Sequence, residues 1–184
     1  MTRVSALLLV IALGTMAASC ERKQETAAGN VTSGVSENDA ANATYATENT
    51  ASGFMPLQNG HYEDSDRVVG ELDELFAQGD LDGDGSEDRA VLIVTSTGGS
   101  GVFEELYVLR RSNGQLTISA PAFLGDRVDV EDLRIEHGDV VVKLLVQGAN
   151  DPLCCPTQRV VYRFRPSGNT LIETTGQQRI YLKE

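Results

Sequence analysis

The feature that most restricts the fold of this chain is strict alternation. The runs "RAVLIVTS", "VFEELYVLRR", "QLTISAPAFL", "DVVVKLLVQ" and "QRVVYRFR" are short, rich in Val, Ile, Leu, Tyr and Phe, and apolar at every second place or nearly so. That period fits a pleated strand, whose side chains point to opposite faces in turn. Turn-forming segments lie between the runs: "TGGSG", "SNGQ", "EHGD" and "PSGN". Short strands joined by such turns form antiparallel hairpins. The expected fold class is therefore all-β or β-rich α+β, a hairpin or meander architecture. In "DRVVGELDELFA" the residues Val68, Val69, Leu72, Leu75 and Phe76 roughly fit one helical face, but the stretch reads equally as a strand feeding the loop that follows, and the strand is preferred. No internal repeat supports a multi-blade propeller.

The chain divides into three parts. "MTRVSALLLVIALGTMAASC" has a basic start at Arg3, an apolar run from Val4 to Leu13 and small residues before Cys20. That is the layout of a secretion leader, with an apolar run too short to span a bilayer. "AASC" resembles a bacterial lipobox, in which the leader is cut before the cysteine and the cysteine is acylated; the alternative is an ordinary secretory cut. Residues 1–19 are then a lipoprotein signal peptide and Cys20 the lipidation site. Glu21, where lipoproteins of the inner membrane often carry Asp, implies by that resemblance an outer membrane lipoprotein, facing the periplasm or the surface. Residues 20–52 are dominated by Ala, Thr, Asn, Ser, Glu and Gly, with little to bury, and read as a flexible tether. The end of that tether is open, because "NATY" can already be a first short strand. Residues 53–184 make the β-rich domain, long enough for one real core.

Composition narrows the partners. The formal charge is -12, and no block of Lys and Arg provides a phosphate footprint, which argues against nucleic acid. The acidity favours divalent cations. It is concentrated in "AQGDLDGDGSEDRAVLIV", where Asp80, Asp82, Asp84, Gly85, Ser86 and Asp88 give the pattern D-x-D-x-D-G-x-x-D. Calcium takes six to eight oxygens in a flexible shell. Carboxylates at the first, third and fifth places can converge on it, with the Ser86 carbonyl at the seventh and Asp88 at the ninth. An EF-hand needs Glu at the twelfth place, which here is Val91 within an apolar run. A structural Ca2+ between two strands is the expectation; magnesium, or a solvated acidic turn, is the alternative.

That loop resembles the calcium loops of FG-GAP, integrin-type repeats. More widely, "GDLDGDGSEDRAVLIVTSTGGSGVFEELYVL", "AFLGDRVDVEDLRIEHGDVVV", "NATY" and "LQNGHYE" look like a family of uncharacterised bacterial secreted proteins and lipoproteins that share a G-D-L-x-G-D-G loop, a G-G-S-G turn and an L-G-D-R segment. The resemblance implies that the loop, Gly98 to Gly101 and Leu124 to Arg127 belong to one domain, and it brings no activity with it.

Other features read as structural. "TGGSG" precedes a strand and lacks Lys, so it is a hairpin turn and not a phosphate cradle. Asp126 and Arg127 read as a turn with an ion pair, with ligand reading as the alternative. Cys154 and Cys155 either form a vicinal disulfide or pack as two thiols. His61 and His137 sit beside turns, outside any nucleophile motif, so no catalytic residue is expected. The expected function is a non-catalytic envelope module with an unknown protein or glycan partner, attached to the membrane by its lipid anchor. The alternatives are a periplasmic inhibitor of an envelope enzyme and, further off, a hydrolase.

Overall fold

The computed structural model describes residues 34–175. They form an all-β fold of antiparallel sheets with one short helix. The larger sheet contains β3 (His61–Glu63), β4 (Val69–Gly79), β5 (Asp88–Ser96), β6 (Val102–Ser112) and β7 (Gln115–Ile118), hydrogen-bonded in that order. A further strand, β8 (Ala122–Asp126), shares the free edge of β6 with β7. The second sheet has the order β12 (Thr170–Glu173), β11 (Gln158–Ser167), β10 (Asp139–Val146) and β9 (Asp129–Glu136).

The two sheets bury one core between them. Ala90 and Leu92 of β5 and Leu106 and Val108 of β6 meet Leu133, Val140, Val142, Leu144, Val160 and Phe164 of the second sheet. Alternation sends the intervening residues Val91, Ile93, Tyr107 and Leu109 to the opposite face. That face is covered too, which is why Asp88 to Ile93 are buried without a break.

The cover comes from a segment that composition placed in the tether. Residues 34–52 belong to the fold: α1 (Glu37–Ala41) carries a capping box between Ser36 and Asp39, and β1 (Thr44–Ala46) pairs with β2 (Phe54–Pro56). The expected boundary at residue 52 is thus corrected to at least residue 34. The segment has few apolar residues, but Val35, Ala40, Ala43 and Tyr45 are each buried against Met55, Val91, Ile93, Tyr107 and Leu109. Average composition conceals this, because the polar residues between them cap the helix or face water. Asp39 also pairs with Arg111 of β6 at 2.8 Å. Leader residues, Cys20 and the first part of the tether lie outside the described residues.

The helix-or-strand ambiguity of "ELDELFA" has a local cause. β4 pairs Leu72 with Ile93 and Phe76 with Val91, so two extra residues are accommodated in a bulge. Leu72 then packs on the outer core while Leu75 packs on the inner one. A bulge breaks period two and imitates helical spacing. Phe76 is covered in part by Arg89, whose guanidinium carbon lies 4.0 Å from the ring centroid.

One contact of this cover is testable by itself. A Cβ at Gly70 would come within 2.1 Å of Met55 Sδ, and Met55 is fully buried. Gly70→Ala is expected to destabilise the protein by about 1–3 kcal/mol through overpacking, read as a lower urea midpoint. A Met55→Ala background, with room at that place, should cancel most of the added cost.

Candidate metal centre

The acidic loop joins β4 to β5. Gly83 and Gly85 take φ of 80° and 84°, a backbone region that glycine enters freely. The turns fold the loop back on its own carboxylates. Asp80 accepts hydrogen bonds from the Gly83 amide at 2.6 Å through Oδ1 and from the Gly85 amide at 3.0 Å through Oδ2. Asp82 accepts from the Asp84 amide at 3.2 Å, and Asp88 from the Leu81 amide at 2.9 Å.

Three of the four expected carboxylates come together. Carboxylate oxygens of Asp80, Asp82 and Asp88 lie within 4.8 Å of one another, and the three could hold a metal ion. Asp84 does not join them, because its Oδ1 accepts from the Ser86 amide at 2.7 Å. Ser86 is buried at the base of the loop. Val91, the twelfth place, is inside the outer core, where no loop ligand can stand.

The electrostatics depend on which carboxylate is buried. Asp80 and Asp82 are exposed, whereas Asp88 is only 1% exposed. Burial pushes the Asp88 carboxyl up to about 6; the Leu81 amide opposes this, the charges of Asp82 and Asp84 add to it, and Arg110 opposes it. Desolvation and like charge both disfavour a carboxylate. A bound cation would offset both. Arg110 of β6 stands 3.7 Å from Asp82 and also donates to the Gly168 carbonyl in the β11–β12 turn, so the loop has one cation of its own at its rim.

No protein-family model, curated protein or solved structure matches this chain.

The remaining sequence candidates have structural places. Gly98 takes φ of 74° in the turn between β5 and β6. Asp126 pairs with Arg127 at 2.7 Å, and the Asp126 Oδ1 and the Arg127 amide both bond the Val102 backbone, fastening the end of β8 to the start of β6. Cys154 and Cys155 form a vicinal disulfide, with Cα atoms 3.8 Å apart. His61 pairs with Glu71 at 2.7 Å on an exposed strand, and His137 occupies a left-handed turn position with φ of 53°. Sequence reasoning passed over Glu104 and Glu105, both buried in β6. The signal was the two adjacent acids in "VFEELYV", an otherwise apolar run.

Proposed function

We propose that this protein is a lipid-anchored component of the cell envelope whose β-domain is stabilised by Ca2+ in the Asp80 to Asp88 loop, and that it serves as a non-catalytic binding module for an envelope partner. The convergence of Asp80, Asp82 and Asp88 carries the metal part of the reading. The loop is rich in the oxygen ligands that calcium's adaptable shell accepts; thiolate and imidazole ligands of softer metals are lacking among the described residues around it. Turning the Asp84 side chain away from the Ser86 amide would add a fourth carboxylate. The leader and "AASC" support the envelope address, and the lack of nucleophile and base motifs in the sequence supports a binding role.

The test is thermal melting of the full chain in EGTA, in millimolar calcium and in millimolar magnesium. A ligand at a hundred times its Kd stabilises a fold by about 2.7 kcal/mol, a rise of roughly 5–10 °C for a domain of this size. Asp82→Asn and Asp88→Asn are expected to abolish the rise. Asp84→Asn should lower it by less, unless the side chain turns inward on binding, in which case its loss equals theirs. A melting curve indifferent to metal, together with no metal in elemental analysis of the purified protein, would sink the reading.

A further inference from the structure

The N-terminal cover of the larger sheet stops short of the sheet's end. Its last contacts are the Tyr107 hydroxyl, which donates to the Ala46 carbonyl at 2.8 Å, and the Thr47 hydroxyl, which donates to Glu105 Oε2 at 2.9 Å. Beyond them Glu48 and Asn49 turn outward, and Phe103, Glu105, Phe123 and Pro121 line a cleft of about 420 Å³. That volume lies in the range of small-molecule sites. The rings of Phe103 and Phe123 stand 6.2 Å apart at 46°. Phe123 is 61% exposed, a large aromatic left in water on a strand whose neighbours Ala122 and Leu124 are buried.

Glu105 is the unusual element. Its residue is only 4% exposed, yet it has no cationic partner among the described residues. Thr47 and Tyr107 both donate to Oε2, at 2.9 and 3.0 Å, and neither bond goes to Oε1. Burial, with the nearby Glu105 charge, raises the Tyr107 phenol, which stays a donor. A carboxylate removed from water is costly unless paired. Its natural complement is a positive charge arriving through the cleft, and aromatic faces beside it attract cations through their quadrupoles.

We propose that this cleft binds a small alkylated ammonium ion, with Glu105 and Glu48 supplying the charge and Phe103 and Phe123 the aromatic walls. A divalent metal fits poorly, because the one group of convergent acidic ligands among the described residues is Asp80, Asp82 and Asp88. A neutral sugar would leave the Glu105 charge uncompensated. The cleft is also remote from that loop: Phe103 and Arg110 are seven residues apart on β6, roughly 23 Å. The inference goes beyond the metal reading and does not depend on it.

The test titrates the full chain, in a non-ionic polyoxyethylene detergent, with choline, with its uncharged carbon isostere 3,3-dimethylbutanol and with glucose. Affinity is read by calorimetry and location by amide shifts of Glu48, Phe103, Glu105 and Phe123. Choline is expected to bind about tenfold or more tighter than the isostere. Glu105→Gln should remove that preference. Because a buried substitution can perturb folding, Phe123→Ala and Glu48→Gln, both at exposed places, provide the second measure: each is expected to weaken choline roughly fivefold with unchanged melting. Equal binding of choline and the isostere would reduce the site to an apolar cleft. Glucose shifting these amides where choline does not would make it a sugar site. No shift with any probe at tens of millimolar would remove it. Each of these three results overturns the proposal. Running the series in calcium and in EGTA separates it from the fate of the metal reading.

Discussion

Replacing Tyr45 by alanine is expected to cost about 3–5 kcal/mol, the range for deleting a large buried aromatic side chain. Tyr45 is fully buried in β1, within a segment whose composition suggests disorder. Its ring meets Tyr107 edge to face with centroids 4.9 Å apart, and its hydroxyl donates to the Ala40 carbonyl at 2.8 Å. One side chain therefore joins α1, β1 and the outer face of β6. Tyr45→Phe isolates the hydroxyl and should cost about 1 kcal/mol, the net value of a hydrogen bond together with the carbonyl it leaves unpaired. Folded domains are stable by only about 5–15 kcal/mol, so the alanine variant should show a much lower urea midpoint and protease cleavage within residues 34–52. If Tyr45→Ala unfolds at the same urea concentration as the parent, the segment is not part of the cooperative fold.

The second large effect concerns pH. Glu104 faces the interior side of β6 and is 7% exposed. Burial pushes its carboxyl up to about 7, and the charges of Asp73 and Asp129 push in the same direction. An acid with a raised folded pKa destabilises the native state once the unfolded state can ionise. Below about pH 4.5 both states hold the proton, and Glu104 imposes no penalty. As the pH rises the unfolded chain gives up its proton first, and stability falls until the folded group ionises near pH 7. The total loss is on the order of 3 kcal/mol. Glu104→Gln removes this loss, so its melting temperature should match the parent near pH 4 and exceed it at pH 8. Asp39 works in the opposite direction, held down to about 2 by its hydrogen bonds to Ser36 and, after them, by Arg111; comparing variant with parent subtracts that contribution. A gap that does not widen with pH would show that the Glu104 carboxyl is not perturbed.

Period two made the strands legible because both long hairpins keep their register: β5 against β6, and β10 against β11, run through seven or more consecutive pairs. The turns from β6 to β7 and from β9 to β10 were equally readable, since Asn113 with Gly114 and His137 with Gly138 each take positive φ in succession, as tight hairpins require. The N-terminal cover was not legible. Four buried apolar residues scattered among Ser, Asn and Thr carry no period, and their burial depends on a sheet face formed elsewhere in the chain. At the acidic loop, spacing identified the carboxylates but not their rotamers. Asp84 instead accepts from the Ser86 amide two residues on. Glu104 and Glu105 escaped notice for a related reason: alternation sends them to opposite faces, and sequence does not say that both faces are closed.

The cover also has a place in time. Thr47 and Glu105 are 58 residues apart, and Ala46 and Tyr107 61 apart. During synthesis the chain grows at about 5–20 residues per second, so residues 34–52 emerge several seconds before the strands that will receive them exist. A strongly apolar segment would be exposed to aggregation throughout that interval. This one is mostly Ala, Ser, Thr and Asn, soluble while it waits, and the sheet face that buries its few anchors exists only once β5 and β6 have been made. The sparse composition that disguises the segment as a tether is what keeps the first-made part of the domain soluble until β5 and β6 exist to receive it.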